Sequence, residues 1–321
     1  MGALLLLLSS ILSSAAAQHD SFLAPVFKNG NVVFVGENHL IVEHKLHFQK
    51  FIEELTLAGS LTKTAIAIEL VQRDDSKTLA QYLADPQALR DSTVELNYFE
   101  RLHRRLSLAN NQHYDELMRT LRSTYQTSGG ELRICAINVA EIYGSFGGAA
   151  AVEKLARLKQ LPRTLQLEIE TVQGLSLNEI SRTSLGWDRE GTLAVGVADC
   201  AKDKDRTLVL IGANHGIKYP TAYPARSAAQ FVKLISPSQT VASIKFLQPF
   251  DSPIAAELGA DERYFSSGLS FPNLQLFRAS ELPDTIYQKM LGGGHSKQPV
   301  DPNYANLFDY FVFGPWVHTI N

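Results

Sequence analysis

Cysteine is nearly absent: the 321-residue chain contains only Cys135 and Cys200. So few exclude a disulfide-dense scaffold, and no further Cys or His stands near them at the spacing of a zinc site. Cys135 lies in the apolar run 134–139, the pattern of a buried strand. An oxidising compartment would allow the two to pair, but the expectation is a pair of inert buried thiols. An excess of positive charge is missing too. The formal charge is −3 at pH 7, which argues against a nucleic-acid surface, since phosphate neutralisation needs a basic excess. The most basic stretch, Arg101 to Arg105, reads as a solvated helix face. No apolar run reaches the ~20 residues of a transmembrane span. There is no Gly-x-Ser-x-Gly elbow, so an ordinary serine hydrolase has no support. Gly144 to Gly148 lacks the Lys and Ser/Thr of a phosphate loop and reads as a flexible connection.

What is present begins with a short apolar segment. Leu4 to Leu8, with Ile11 and Leu12, forms the hydrophobic stretch of a secretory signal, although no Lys or Arg precedes it. Ala15 and Ala17 stand at −3 and −1 of a cut before Gln18. The expected organisation is a signal peptide over 1–17 and one α/β domain over 18–321, secreted or periplasmic. No Cys follows the apolar stretch, which excludes a lipid-modified N-terminal cysteine.

Further along, short apolar runs alternate with helical patterns, the signature of a largely parallel sheet flanked by helices. Strands are expected over 31–35, 64–68, 132–139, 206–211, 240–247 and 309–313. Phe48, Phe51, Ile52 and Leu55 recur at i, i+3, i+4, i+7, an amphipathic helix. Residues 163–187 read as irregularly helical, and beyond Pro249 the pattern loosens. The fold class is therefore α/β, a single domain whose site lies outside the strand carboxyl ends, where open parallel sheets bind ligands.

The residues at that edge are polar. The first strand leads into Gly36-Glu37-Asn38-His39 and the second into Glu69. The third leads to Asn138 and then Glu141, and the fourth into Gly212-Ala213-Asn214-His215. Glycine permits a tight turn and a close backbone approach. Histidine takes up a proton or ligates a metal near neutral pH, and a carboxylate orients it. One Gly-x-x-His is a weak signal; two at equivalent strand ends, with Glu37 and Glu69, make a cleft. His44 and His47 sit on the first helix and face the site or solvent. His39, His215 and Glu37 are the candidate ligands of a divalent metal with an open position.

The double Gly-x-x-His resembles the superfamily that unites erythromycin esterases, Tiki/TraB proteins and ChaN-type haem-binding proteins. Glu69, the Gln72-Arg73 pair, Ala136-Ile-Asn-Val139, Arg189 and Asp309-Tyr-Phe-Val-Phe313 extend the similarity. The resemblance implies that His39 is the base or metal ligand, with Glu37 and Glu69 as its carboxylate partners. It implies that His215 is the second imidazole and Arg189, just before a helix, an oxyanion or carboxylate clamp. Tyr219 and Tyr223 are similarly placed to the ChaN iron ligand. Two functions follow: an ester or amide hydrolase acting on a small molecule or peptide, or a haem-binding protein without catalysis. The expected cofactor is thus a divalent metal, haem or neither, and the hydrolase is the favoured expectation because paired carboxylate–imidazole groups suit general-base work.

Overall fold

Every residue of the first strand, β1 (Val32–Glu37), is buried, as expected of a parallel strand covered on both faces. The computed structural model describes residues 23–39, 41–57, 61–103, 112–140, 142, 147–218, 227–246, 274–281 and 307–313. Alternation along β1 divides the core in two. Val33 and Val35 face one layer of helices, while Val32 and Phe34 face the other.

The first layer begins with α1 (Ala24–Asn29) and α2 (Val42–Leu57). Phe48, Phe51, Ile52 and Leu55 of α2 are all buried, as their spacing predicts. Next comes β2 (Thr64–Gln72), followed by α3 (Ser76–Ala84), α4 (Ser92–His103) and α5 (Gln112–Thr127). Leu79 and Tyr82 of α3, and Leu117 and Leu121 of α5, complete this side of the core.

β3 (Arg133–Asn138) leads to the opposite layer: α6 (Gly148–Gln160), α7 (Arg163–Gln173), α8 (Leu177–Ile180) and α9 (Trp187–Ala201). β4 (Arg206–Gly212), α10 (Ala228–Ile235) and β5 (Val241–Phe246) follow. Leu165 and Ile169 of α7 pack there with Leu193 and Val197 of α9 and Phe231 of α10.

With β6 (Gln275–Arg278) and β7 (Tyr310–Phe313), the described strands form one seven-stranded sheet in the order β3-β2-β4-β1-β5-β7-β6. β7 is the closing strand expected near residue 309, parallel to β5. β6 runs antiparallel to β7 at the sheet edge. Its four residues carry too short a pattern to stand out in a Gly- and Pro-punctuated region.

Two expectations about local structure are corrected. β2 continues past Glu69 to Gln72, so Glu69 lies within the strand. Its pairing with β4 nevertheless stops at Ile68↔Leu210, and its register with β3 slips between Ile68 and Gln72. The irregularity places Glu69 where the ladder opens, at the same height as the ends of β1 and β4. Cys135 and Cys200 are not free thiols. They form a disulfide that joins β3 to the last turn of α9, with Cα atoms 6.0 Å apart. Strand and helix pack face to face in the fold, a proximity that 65 residues of separation concealed.

Candidate active site

β1 and β4 lie side by side, with Glu37 paired to Gly212. Their two Gly-x-x-His turns therefore leave the sheet next to each other. The close approach explains the glycines. A Cβ on Gly36 would stand 2.8 Å from the Ala213 Cα, and one on Gly212 would stand 3.1 Å from His39 Nε2.

The first half of the site is the Glu37–His39 pair. Glu37 Oε1 lies 2.9 Å from His39 Nδ1, and Oε2 lies 2.9 Å from the Lys45 ammonium. Burial works against the ionised carboxyl, but Lys45 and His39 outweigh it and hold the group down at about 2. An ionised carboxylate only accepts, so Nδ1 of His39 carries a proton, and in the neutral ring Nε2 keeps its lone pair. That ring is 38% exposed, and Nε2 lies 3.8 Å from Glu69 Oε2. Burial lowers the His39 value, yet Glu37, through its hydrogen bond and charge, and Glu69 raise it above the ordinary imidazole range.

The turn is held from behind. The Asn38 amide donates to His44 Nδ1 at 2.8 Å, and Lys45 and the Tyr114 hydroxyl both donate to the His39 carbonyl. His44 faces neither the site nor solvent: it is wholly buried against Phe246.

The second half centres on His215. Its Nδ1 lies 2.5 Å from Glu190 Oε1, and its Nε2 lies 2.7 Å from Arg189 Nη1. Arginine only donates, so Nε2 accepts and Nδ1 carries the proton. Burial opposes a charge on this ring; Glu190 and Glu69 overcome that and push its value up. A proton arriving at Nε2 must first displace the guanidinium. Glu190 Oε2 also accepts from the Ala228 amide at 2.8 Å, at the start of α10.

Glu69 joins the halves. Its Oε2 accepts from the Gly212 amide at 2.7 Å, its Oε1 accepts from Arg189, and Oε1 lies 3.6 Å from His215 Nε2. Burial opposes its charge, but His215, Arg189 and His39 together lower its value. Arg189 also reaches Asn138 Oδ1 at 3.4 Å. It stands in the first turn of α9 rather than before the helix.

All five expected residues, His39, Glu37, Glu69, His215 and Arg189, thus meet at one sheet edge. The metal set of His39, His215 and Glu37 does not assemble. Glu37 spends its oxygens on His39 and Lys45, and Arg189 covers His215 Nε2. Among the described residues no three His, Cys, Asp or Glu side chains group as a metal site. Tyr219 and Tyr223, and the Glu141 and Gly144 readings, lie outside the described residues.

Two participants were missed in the sequence. Glu190 follows Arg189 directly, and an acidic pair in the first turn of a helix gave no reason to single it out. Lys45 did leave a signal: it occupies the apolar stripe of α2, in line with Phe48, Ile52 and Leu55.

A family model described as haem-binding uptake, Tiki superfamily, ChaN matches residues 23–221, more than half the chain. The chain belongs to this family. Among solved structures, this ChaN-family fold is similar to a mutant of erythromycin esterase EreC in its open conformation. The identity is 14% and the TM-score 0.53, covering 90% of this chain and 91% of that one. It is also similar to Campylobacter jejuni ChaN, described with cofacial haem binding, at 13% identity and a TM-score of 0.43, over 72% and 86% of the two chains. A Bacillus cereus protein matches at 13% identity and a TM-score of 0.48, over 92% and 93%. No curated protein matches the chain.

Proposed function

We propose that this ChaN-family protein is an exported hydrolase that cleaves an ester or amide, in a small molecule or peptide, with water activated by His39. One observation carries the reading: a buried carboxylate holds Nδ1 of a partly exposed His39, so that in the neutral ring Nε2 is left as the proton acceptor. In this reading a water donates its proton to Nε2 as its oxygen bonds to the substrate carbonyl carbon. Glu37 stabilises the imidazolium that forms. Collapse of the tetrahedral adduct breaks the bond to the alcohol or amine, which takes the proton back from His39. Arg189, paired with Glu69, contributes positive charge at the same edge, where an oxyanion would develop. Export is supported by the apolar N-terminal stretch and by the Cys135–Cys200 disulfide, which persists in oxidising compartments.

The test is hydrolysis of p-nitrophenyl esters by wild type and His39→Ala, with melting curves alongside. Loss of a positioned base lowers kcat on the order of 10²–10⁴-fold. Residual activity above about a tenth of wild type, in a folded variant, removes His39 from the role.

Family membership and the open Nε2 favour a second reading, haem binding without catalysis. His39 would be the residue to hold the haem iron, because a carboxylate on the far nitrogen raises the donor strength of the ring. Bound haem would supply iron coordination at that nitrogen. Titrating haem into wild type, His39→Ala, Tyr219→Phe and Tyr223→Phe separates the readings. A Soret shift lost with a ligand variant supports haem, and no spectral change in wild type at micromolar haem removes it.

A further inference from the structure

Lys45 is the charged residue for which hydrolysis as described leaves no task. It projects from the apolar stripe of α2 and is 1% exposed. Taking an ammonium out of water is costly unless its partners are good, and an apolar residue of similar volume is often at least as stabilising. The partners of Lys45 come from the Gly-Glu-Asn-His turn and the residues after it. Its Nζ lies 2.9 Å from Glu37 Oε2. That contact is an ion pair, while the three ammonium N–H groups donate to the carbonyls of His39 at 2.6 Å, Ile41 at 3.0 Å and Asn38 at 3.1 Å. The Tyr114 ring lies beneath the ammonium, 4.8 Å from its centroid, and its hydroxyl donates to the same His39 carbonyl at 3.1 Å.

This geometry reaches both the side chain that orients His39 and the backbone that carries it. With Oε2 of Glu37 held by Lys45, Oε1 is left to face His39 Nδ1. The two donors on the His39 carbonyl fix the backbone from which the imidazole leaves the turn. We propose that Lys45 is a positioning residue for His39, setting the turn so that Nε2 points into the cleft. The proposal rests on the reading of His39 as the base. A lysine is suited to the task because its three donors rotate about one compact charge and spread out of plane, whereas the five donors of a guanidinium are fixed in one plane.

The experiment compares wild type, Lys45→Met and Leu165→Ala, the last a destabilising change in the opposite core layer. Two readouts are taken: kinetics on a p-nitrophenyl ester, and the downfield NMR signal of the His39 Nδ1 proton in its bond to Glu37. Lys45→Met is expected to lower kcat about 10–100-fold, with KM within about twofold, since misplacing a reacting group by an ångström has that effect. It is also expected to abolish or broaden the Nδ1 signal, while Leu165→Ala keeps both. Should Lys45→Met fail to fold, Glu37→Gln and the double variant Glu37→Gln/Lys45→Met replace it, because removing both charges leaves none orphaned. The orientation of the ring, read from NOEs between the His39 ring protons and the backbone at Gly212, is then kept in Glu37→Gln and lost in the double variant. An unchanged kcat and Nδ1 signal in Lys45→Met, or a ring orientation in the double variant that matches Glu37→Gln, overturns the proposal. If wild type hydrolyses no ester, the NMR comparison alone still decides the role of Lys45, and only the reading of His39 as a base is lost.

Discussion

At the scale of single residues, the two histidines differ in what each nitrogen is free to do. His215 is held at both nitrogens, by Glu190 and Arg189; His39 is held at one. Only the second arrangement leaves a proton acceptor facing the cleft. Burial pulls the His39 value down, but Glu37 and Glu69 raise it overall. A base must be neutral to act, so activity increases with pH as His39 loses its proton. The ascending limb of the kcat/KM profile is therefore expected to inflect above the ordinary imidazole value of 6.5. An inflection below that value means that burial, not the carboxylates, governs the ring. Glu37→Gln removes the main raising influence and moves the limb toward lower pH.

Among the described elements, β3 and α9 are joined covalently. Asn138 ends β3, and Arg189 and Glu190 open α9, so this pair carries one side of the site. The disulfide fastens their other ends, from Cys135 to Cys200. Lys154 of α6, itself buried, secures the approach to α9 by donating to the carbonyls of Thr183 and Leu185 at 3.0 and 3.1 Å. Cross-linking residues 65 apart restricts the unfolded chain, an effect of about 2–4 kcal/mol. Cys135→Ala/Cys200→Ala is expected to lose that much in denaturant unfolding, and wild type in reductant is expected to behave like the variant. Equal stability of both forms in oxidising and reducing buffer contradicts the bridge.

For the whole molecule, the buried charges of the site make folding depend on pH from both sides. Glu37 sits at about 2 in the fold against an ordinary 4.5. Its contribution is fully present above 4.5 and lost as pH falls toward 2, on the order of 3 kcal/mol. Glu69, also lowered, acts in the same direction. His39 and His215 are raised from 6.5, so their contribution is present below that value and lost as pH rises through their folded values. Melting temperature against pH is expected to peak between about 4.5 and 6.5 and to fall on either side. A flat profile through the acid range shows that Glu37 is not held as the ion pair with Lys45 requires.

Much of this was legible in the chain itself, because strand pattern and strand-end chemistry are local. Continuous apolar runs located β1, β3, β4, β5 and β7, and the two Gly-x-x-His turns marked the edge where the site lies. Glu69 and Arg189 were found there too, by resemblance as much as by pattern. The order β3-β2-β4-β1-β5 was not legible, since it depends on which strands pair and not on what each strand is. That order brings β1 beside β4 and so sets His39 and His215 on either side of Glu69. The same packing turned Cys135 and Cys200 from separate thiols into a bridge and buried Lys45 against Glu37. It also divided the labour of the two imidazoles. Each of these depends on distances between residues far apart in sequence, which hydrophobic periodicity does not encode and the closing of the sheet decides.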